Sequence, residues 1–286
     1  MTVVSWNLWN KNPDQIGSIK SLINKEIDII CLQEVMLETV NYYQKFCLEN
    51  QEKENAIPIL SPKNPSNSQN QANNSPQSFY SDSSYSQKKD KWQIFIALDH
   101  RDAKNQHYLV ILTRLPICHH FCDYLDQKPP KSFLAKRYKI QSIRQFQYID
   151  LVQNEQKIRV FNTHLEIAIG PTRRLGQFEN LVKHFGQNNI VCGDFNIFPH
   201  PIGSFFVGWA ASFSLGDYKT NERKKFEILF KKLGLQNIFT KKITYPKYKL
   251  QLDHILTSHN LLVTDKKIEK KTTFSDHYQL YCELKI

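Results

Sequence analysis

Ile190-Val191-Cys192-Gly193-Asp194-Phe195-Asn196 runs from three apolar residues straight into a glycine, a carboxylate and, two positions later, an amide. An apolar run that stops at Gly-Asp reads as a buried strand delivering polar side chains to its exposed end. Rigid elements that open into a loop are where α/β and sandwich proteins place their chemistry. Asp194 can accept a proton or hold a metal, Asn196 offers an amide N–H pair to an anionic oxygen, and Gly193 lets the backbone turn and a ligand approach. Alone, the tetrapeptide fits an ordinary turn equally well, because Asp and Asn are common turn residues. Its meaning depends on partners elsewhere in the chain.

Four other places along the chain carry residues of matching chemistry, the last of them a pair of motifs. Asn7 lies deep in Val3-Val4-Ser5-Trp6-Asn7-Leu8, where a buried amide needs partners, whether a neighbouring turn or a site. Ile29-Ile30-Cys31-Leu32 ends in Gln33-Glu34. A carboxylate there is costly unless it meets water, a cation or a metal, or begins a helix whose dipole favours it. Phe161-Asn162-Thr163-His164-Leu165-Glu166 places a histidine between a strand and the loop holding Gly170-Pro171. Near the C-terminus stand Leu252-Asp253-His254-Ile255 and Ser275-Asp276-His277. Asp253 could fix the tautomer of a histidine from the other motif.

Between these ends the pattern alternates strands and helices. Strands are expected over Val3–Leu8, Ile27–Leu32, Gln93–Leu98, Tyr108–Thr113, Gln147–Val152, Arg159–Thr163, Ile190–Cys192, Leu252–Thr257 and Tyr278–Leu284. Helices are expected from Pro13 to Leu22 with Asn12 as N-cap, from Thr172 to Phe185 ending at Gly186, and from Asn221 to Leu233 ending at Gly234. Residues 61–91 are rich in Ser, Asn, Gln and Pro and contain no Val, Ile, Leu or Met, so they read as a flexible insertion within one domain spanning 1–286.

The 286 residues suffice for a large core, with 41% hydrophobic and 12% aromatic content. No apolar stretch approaches the length needed to cross a bilayer, and Met1-Thr2-Val3-Val4-Ser5-Trp6 lacks the pattern of a signal peptide. The six cysteines are scattered, with Cys31 and Cys192 in apolar runs, which suits a reducing, cytoplasmic setting. Cys118-His119-His120-Phe121-Cys122 fits no standard zinc spacing. The net charge of +11, from 38 basic and 27 acidic residues, favours a polyanionic partner such as nucleic acid, phosphoinositide or anionic membrane. Lys128–Lys131–Lys136–Arg137, Arg223-Lys224-Lys225 and Lys266-Lys267–Lys270-Lys271 are candidate patches, and each also fits a solvated face.

Taken in order, Asn7, Gln33-Glu34, Thr163-His164-Leu165, Gly193-Asp194-Phe195-Asn196, Leu252-Asp253-His254 and Ser275-Asp276-His277 resemble the endonuclease/exonuclease/phosphatase superfamily, the deoxyribonuclease-like fold, over nearly the whole chain. The resemblance implies a four-layer α/β/β/α sandwich of two mixed β-sheets flanked by helices. It implies a phosphoric-ester hydrolase using Mg²⁺ or Mn²⁺, and the oxygen donors Glu34, Asn7 and Asp276 suit such a hard cation. By the same resemblance Glu34 is the principal metal ligand with Asn7 beside it and Asp276 nearby. Asp194 activates water, Asn196 holds the phosphate or the nucleophile, His164 and His277 stabilise phosphoryl charge, and Asp253 orients His277. Arg174 is the candidate substrate-binding residue.

Thr163-His164-Leu165-Glu166 is similar to the branch with tyrosyl-DNA phosphodiesterases, deadenylases, sphingomyelinases and inositol-polyphosphate phosphatases, and does not choose among them. The family's usual Gly-x-x-Ile-Leu-Ser strand stands here as Tyr108-Leu109-Val110-Ile111-Leu112-Thr113, without the glycine. A monomeric enzyme cutting phosphodiesters in nucleic acid is the leading expectation, from the basic balance. Hydrolysis of phospholipid headgroups or inositol phosphates, and a catalytically silent polyanion-binding scaffold, are the alternatives.

Overall fold

A computed structural model of the chain describes residues 1–52, 91–101, 106–199, 207–271 and 274–286. The strands are β1 (Thr2–Asn7), β2 (Ile29–Met36), β3 (Gln93–Arg101), β4 (Gln106–Thr113), β5 (Ile117–Tyr124), β6 (Gln145–Gln153), β7 (Gln156–His164), β8 (Asn188–Asp194), β9 (Leu235–Asn237), β10 (Asp253–Ser258), β11 (Leu262–Glu269) and β12 (Gln279–Lys285). The helices are α1 (Gln15–Ile23), α2 (Leu37–Glu52), α3 (Phe133–Arg137), α4 (Pro171–Val182), α5 (Leu215–Tyr218) and α6 (Glu222–Lys232). One six-stranded sheet has the order β11-β12-β1-β2-β4-β3 and the other β5-β6-β7-β8-β10-β9. Both are mixed: β1 pairs β2 and β7 pairs β8 in parallel, and the other named pairs are antiparallel.

The period of two along each strand builds the layers. Val3, Ile29, Cys31 and Ile111 of the first sheet pack against Ile149, Val160, Ile190, Cys192 and Ile255 of the second. The alternate residues Val4, Trp6, Ile30 and Leu32 face outward and meet Ile19 and Leu22 of α1 and Val40 and Tyr43 of α2. On the far side Phe161, Val191 and Leu256 meet Phe178 and Leu181 of α4 and Phe226 and Phe230 of α6. The result is the expected four-layer sandwich. The segment expected to be a flexible insertion, 61–91, lies outside the described residues except for Lys91. Among the described residues no helix is long and apolar enough to cross a membrane.

The nine expected strands are present, and β4 forms over Tyr108–Thr113 without a glycine. The helix ends differ from expectation. The N-cap of α1 is Asp14, whose side chain accepts from Gly17 N, while Asn12 Oδ1 accepts from Asp14 N one turn earlier. Helix α4 stops at Val182 with Lys183 as its C-cap, and the Gly186 N–H instead bonds Asn189 Oδ1. Asn221 does cap α6, accepting from Lys224 N, and Gly234 follows with φ 68°. Strands β5, β9 and β11 were not legible as strands. β11 carries Lys266-Lys267 on the sheet edge, where lysines oppose edge-to-edge pairing.

Candidate active site

The alternation that fills the core also aims the site. Asp194 shares parity with Ile190 and Cys192, His164 with Ile158 and Val160, Asp253 with Ile255, and Asn7 with Val3. Each is therefore the last inward residue of its strand, or the first in the case of β10, and all emerge at one end of the inter-sheet layer. Register makes a row of three: His164 lies opposite Asp194, and Asp194 opposite Asp253.

Gly193 makes that row possible. Its φ is 153°, and a Cβ there would sit 1.9 Å from Thr163 O on the neighbouring parallel strand. After the strand ends, Asn196 turns back with φ 50°, and its N–H donates to Asp194 Oδ1 at 2.9 Å.

Glu34 arrives by a different device. The β2–β4 register shifts between Leu32 and Val35, and Glu34 has φ 56°. This bulge redirects the Glu34 side chain, as bulges beside sites do. Asn7 Nδ2 donates to Glu34 Oε1 and to Asp194 Oδ2, both at 3.1 Å, tying the two sheets together. Its amide oxygen accepts from Trp9 N at 3.0 Å. Asn7, named by the resemblance as a metal ligand beside Glu34, here stands between two carboxylates and donates to both.

Two histidines flank Asp194, each held by a carboxylate. His277 Nδ1 donates to Asp253 Oδ2 at 2.8 Å, and its Nε2 lies 3.9 Å from both Asp194 Oδ2 and Asp276 Oδ1. Burial works against the charged imidazole, but Asp253, Asp194 and Asp276 outweigh it and push its pKa up to about 10. His164 Nδ1 donates to Asp99 Oδ2 at 3.0 Å, and Nε2 lies 3.6 Å from Asp194 and 3.1 Å from Asn196 Nδ2. Burial and Arg144 lower the pKa of His164, and Asp99 and Asp194 more than offset them. Protonated at Nε2, this ring must exchange Asn196 for an acceptor such as a phosphoryl oxygen.

Asp99 was not singled out from the sequence. It lies at a second bulge, where the β3–β4 register shifts between Leu98 and His100. Besides His164 it accepts from Glu34 N at 2.9 Å and pairs with buried Arg144, which also bonds Glu166 Oε2 at 2.8 Å. Burial resists ionisation of Asp99, yet His164 and Arg144 hold its carboxyl far below the usual carboxylate range. A polar residue right after an apolar run is the signal that marked the other site residues, and Asp99 carries it after Ile94-Phe95-Ile96-Ala97-Leu98.

Three carboxylates crowd one point. Asp276 has a raised pKa because burial disfavours its charge and Glu34 and Asp194 repel it, while His277 acts the other way. Its buried Oδ1 has no hydrogen-bond partner, as has Oδ1 of Asp253. Donor atoms of Asp194, Asp253 and His277 also lie within 4.8 Å of one another. The 2.8 Å bond from His277 to Asp253 identifies those two as an oriented imidazole pair. The unpartnered Asp276 Oδ1, with the hydrogen-bonded carboxylates of Glu34 and Asp194 close enough to repel its charge, is a set of hard oxygens that fits a small divalent cation. Tyr245 closes the site, its ring 4.8 Å from that of His277. Burial, Asp276, Tyr248, Asp194 and Glu34 push its hydroxyl up to about 12, so it is a neutral donor.

Arg174 does not belong here. It is fully buried under α4, paired with Glu222 at 2.7 Å, and donates to the carbonyls of Glu166, Ile167 and Ile169. The expected substrate contact is corrected: this guanidinium ties α6 to the loop after His164. His254 is also excluded, because it faces outward against Phe195 and Phe230.

The Endonuclease/Exonuclease/phosphatase family model matches residues 4–277. Among solved structures, the chain is similar to an endonuclease/exonuclease/phosphatase family protein from Leptotrichia buccalis C-1013-b, with TM-score 0.60, 15% identity and 100% of both chains covered. D. rerio TDP2 complexed with a single strand DNA product has TM-score 0.57 and 12% identity, covering 100% of this chain and 99% of that one. A mannosyl-6-phosphatase from Bacteroides thetaiotaomicron VPI-5482 has TM-score 0.53 and 16% identity, with 100% of both chains covered. At such identities the likeness shows the fold alone. No curated protein matches the sequence.

Proposed function

The chain belongs to the endonuclease/exonuclease/phosphatase family, whose members hydrolyse phosphoesters, and from that premise we propose that it cleaves phosphodiesters in nucleic acid with a divalent cation, Mg²⁺ or Mn²⁺. The observation that carries this is the row His164–Asp194–Asp253, with Glu34 tied to it through Asn7 and His277 through Asp253. Glu34 and Asp276 would hold the cation. Bound there, it would polarise a phosphoryl oxygen and offset the charge that builds in the transition state.

The protein's own groups supply the remainder. Asp194, fixed by Asn7 and by the Asn196 N–H, orients a water and takes its proton as the oxygen attacks phosphorus. The new O–P bond forms as the ester P–O bond breaks on the opposite side; the leaving oxygen takes a proton from solvent and Asp194 returns its own to solvent, giving an alcohol and a phosphomonoester. His277, held by Asp253, and His164, held by Asp99, donate to the phosphoryl oxygens. Asn196 serves as the companion donor beside His164.

The net charge of +11 supports a polyanionic substrate. A second reading, a phospholipid headgroup, has its own observation. Trp209 and Leu215 are exposed, and the half-exposed Phe133 stacks on Trp209 at 5.0 Å, an apolar surface near Lys131 and Lys136. A panel assay separates the two. Single-stranded and duplex DNA, RNA, sphingomyelin and inositol polyphosphates are each incubated with Mg²⁺ and again after chelation. Chelator-sensitive cleavage of nucleic acid is expected. Turnover of a lipid with nucleic acid left intact at low salt would overturn the proposal.

A further inference from the structure

One aromatic run leads out of the catalytic centre. The Tyr245 ring lies 4.8 Å from that of His277, and the Tyr248 ring lies 5.8 Å from that of Tyr245. From buried His277 through half-buried Tyr245 to Tyr248, which is 64% exposed, the rings step from the reacting centre to solvent. The turn that carries them is firmly built. Tyr245 and Leu250 form a bridge, and Pro246–Tyr248 make a single 3-10 turn closed by the Lys249 N–H to Pro246 O at 3.1 Å. Thr244, at its base, accepts through Oγ1 from Leu252 N and Asp253 N, and through its carbonyl from Tyr278 N. The turn is thereby anchored to the start of β10, which supplies Asp253, and to the segment leading into β12, which supplies His277.

Charge follows the rings. Lys247 and Lys249 flank Tyr248, and Lys247 Nζ stands 5.5 Å from its ring centroid. Residues 228–252 contain six lysines and no carboxylate. A surface that alternates aromatic rings with lysines suits a chain that alternates planar bases with phosphates. Saturated rings such as inositol lack the π-face that Tyr248 could stack, and bases inside a duplex are already stacked on one another.

We propose that Tyr245 and Tyr248 form a stacking ladder that guides the bases of single-stranded nucleic acid away from the scissile phosphate, with Lys247 and Lys249 on the phosphates between them. The ladder names the substrate class for the nuclease proposed above and rests on that reading.

The test uses binding and cleavage separately. The full chain carrying Asp194→Asn is titrated in Mg²⁺ with a short single strand containing 2-aminopurine, whose fluorescence stacking quenches. Quenching is expected on binding, with the dissociation constant rising about tenfold in Tyr248→Ala and returning to within about twofold in Tyr248→Trp. The same sequence as a duplex should bind more weakly. Because Tyr248 is at the surface, thermal denaturation should show an unchanged Tm, which excludes misfolding as the cause. Equal affinity in Tyr248→Ala overturns the ladder. So does Tyr248-dependent binding to phosphatidylserine vesicles without binding to the oligonucleotide, which would assign the turn to a lipid surface. If the wild-type chain binds through Tyr248 and leaves the strand uncut, the ladder stands and the nuclease proposal falls. If it cuts the strand with the same KM in Tyr248→Ala, the nuclease proposal stands and the ladder falls.

Discussion

The backbone N–H of Glu34 donates to Asp99 Oδ2 at 2.9 Å, so two β-bulges on different strands hold each other in place. One bulge presents the carboxylate assigned to the cation, and the other presents the carboxylate that orients His164. Bulges leave backbone groups without ladder partners, and here the Asp99 side chain satisfies one of them.

Replacing Asp99 with Asn should therefore act on catalysis through His164. The amide can still contact Glu34 N, but it no longer favours a charged imidazole. A fall in kcat of about a hundredfold with KM within a few-fold is expected. Steady-state kinetics on the best substrate of the panel measure the split. A KM effect alone would show that Asp99 shapes binding instead.

Arg144 joins Asp99 to Glu166, all three buried. Arg144→Met leaves two buried carboxylates without their cation and should cost about 3–5 kcal/mol. The pH dependence has a definite sign. Burial opposes the charge on Glu166, but Arg144 outweighs it, so its pKa lies below the ordinary value, as does that of Asp99. Folded-state values below the unfolded ones stabilise above the unfolded pKa of about 4 and lose that contribution as pH falls. The gap in Tm between wild type and Arg144→Met should accordingly hold from pH 7 to about 4 and narrow only as pH drops below about 4. A gap independent of pH would mean that packing, not charge, is what Arg144 contributes.

Gly193→Ala should be among the most damaging single changes. The new methyl would meet Thr163 O, and the positive φ is strained for any residue with a Cβ. Separating β7 from β8 at this point should cost about 3 kcal/mol and lower Tm by roughly 10 °C. Differential scanning calorimetry reads it directly. A variant as stable as wild type would mean that the backbone here relaxes freely.

Arg174→Met distinguishes support from substrate contact. It strands Glu222, whose pKa burial already raises despite Arg174, and should lower stability by several kcal/mol. Assayed well below its Tm, the folded variant should keep KM within about twofold. A tenfold rise in KM at full foldedness would restore the substrate role expected from the sequence.

Much of this architecture was legible because apolar runs ended in polar residues. Strands β1, β2, β7 and β8 announce themselves in that way, β10 by a polar residue just before its apolar run, and these terminal residues are the ones that converge. Two kinds of feature escaped. Polar edge strands were hidden because Ile117–Tyr124 and Leu262–Glu269 lack a buried face. The bulges at Glu34 and Asp99 depend on register with β4, a long-range property that local pattern does not carry. Arg174 misled for the opposite reason: a helical arginine after the His164 motif has the right neighbours in sequence, while its side chain points beneath the helix to Glu222.

The central claim is that Asp194 activates the water that attacks a phosphodiester. Single-turnover cleavage of a single-stranded oligonucleotide in Mg²⁺, by wild type and by Asp194→Asn, tests it most directly. Asparagine keeps the size of the side chain and cannot take the proton, so a rate loss of about a thousandfold or more is expected with binding little changed. Wild-type turnover by Asp194→Asn would contradict the account.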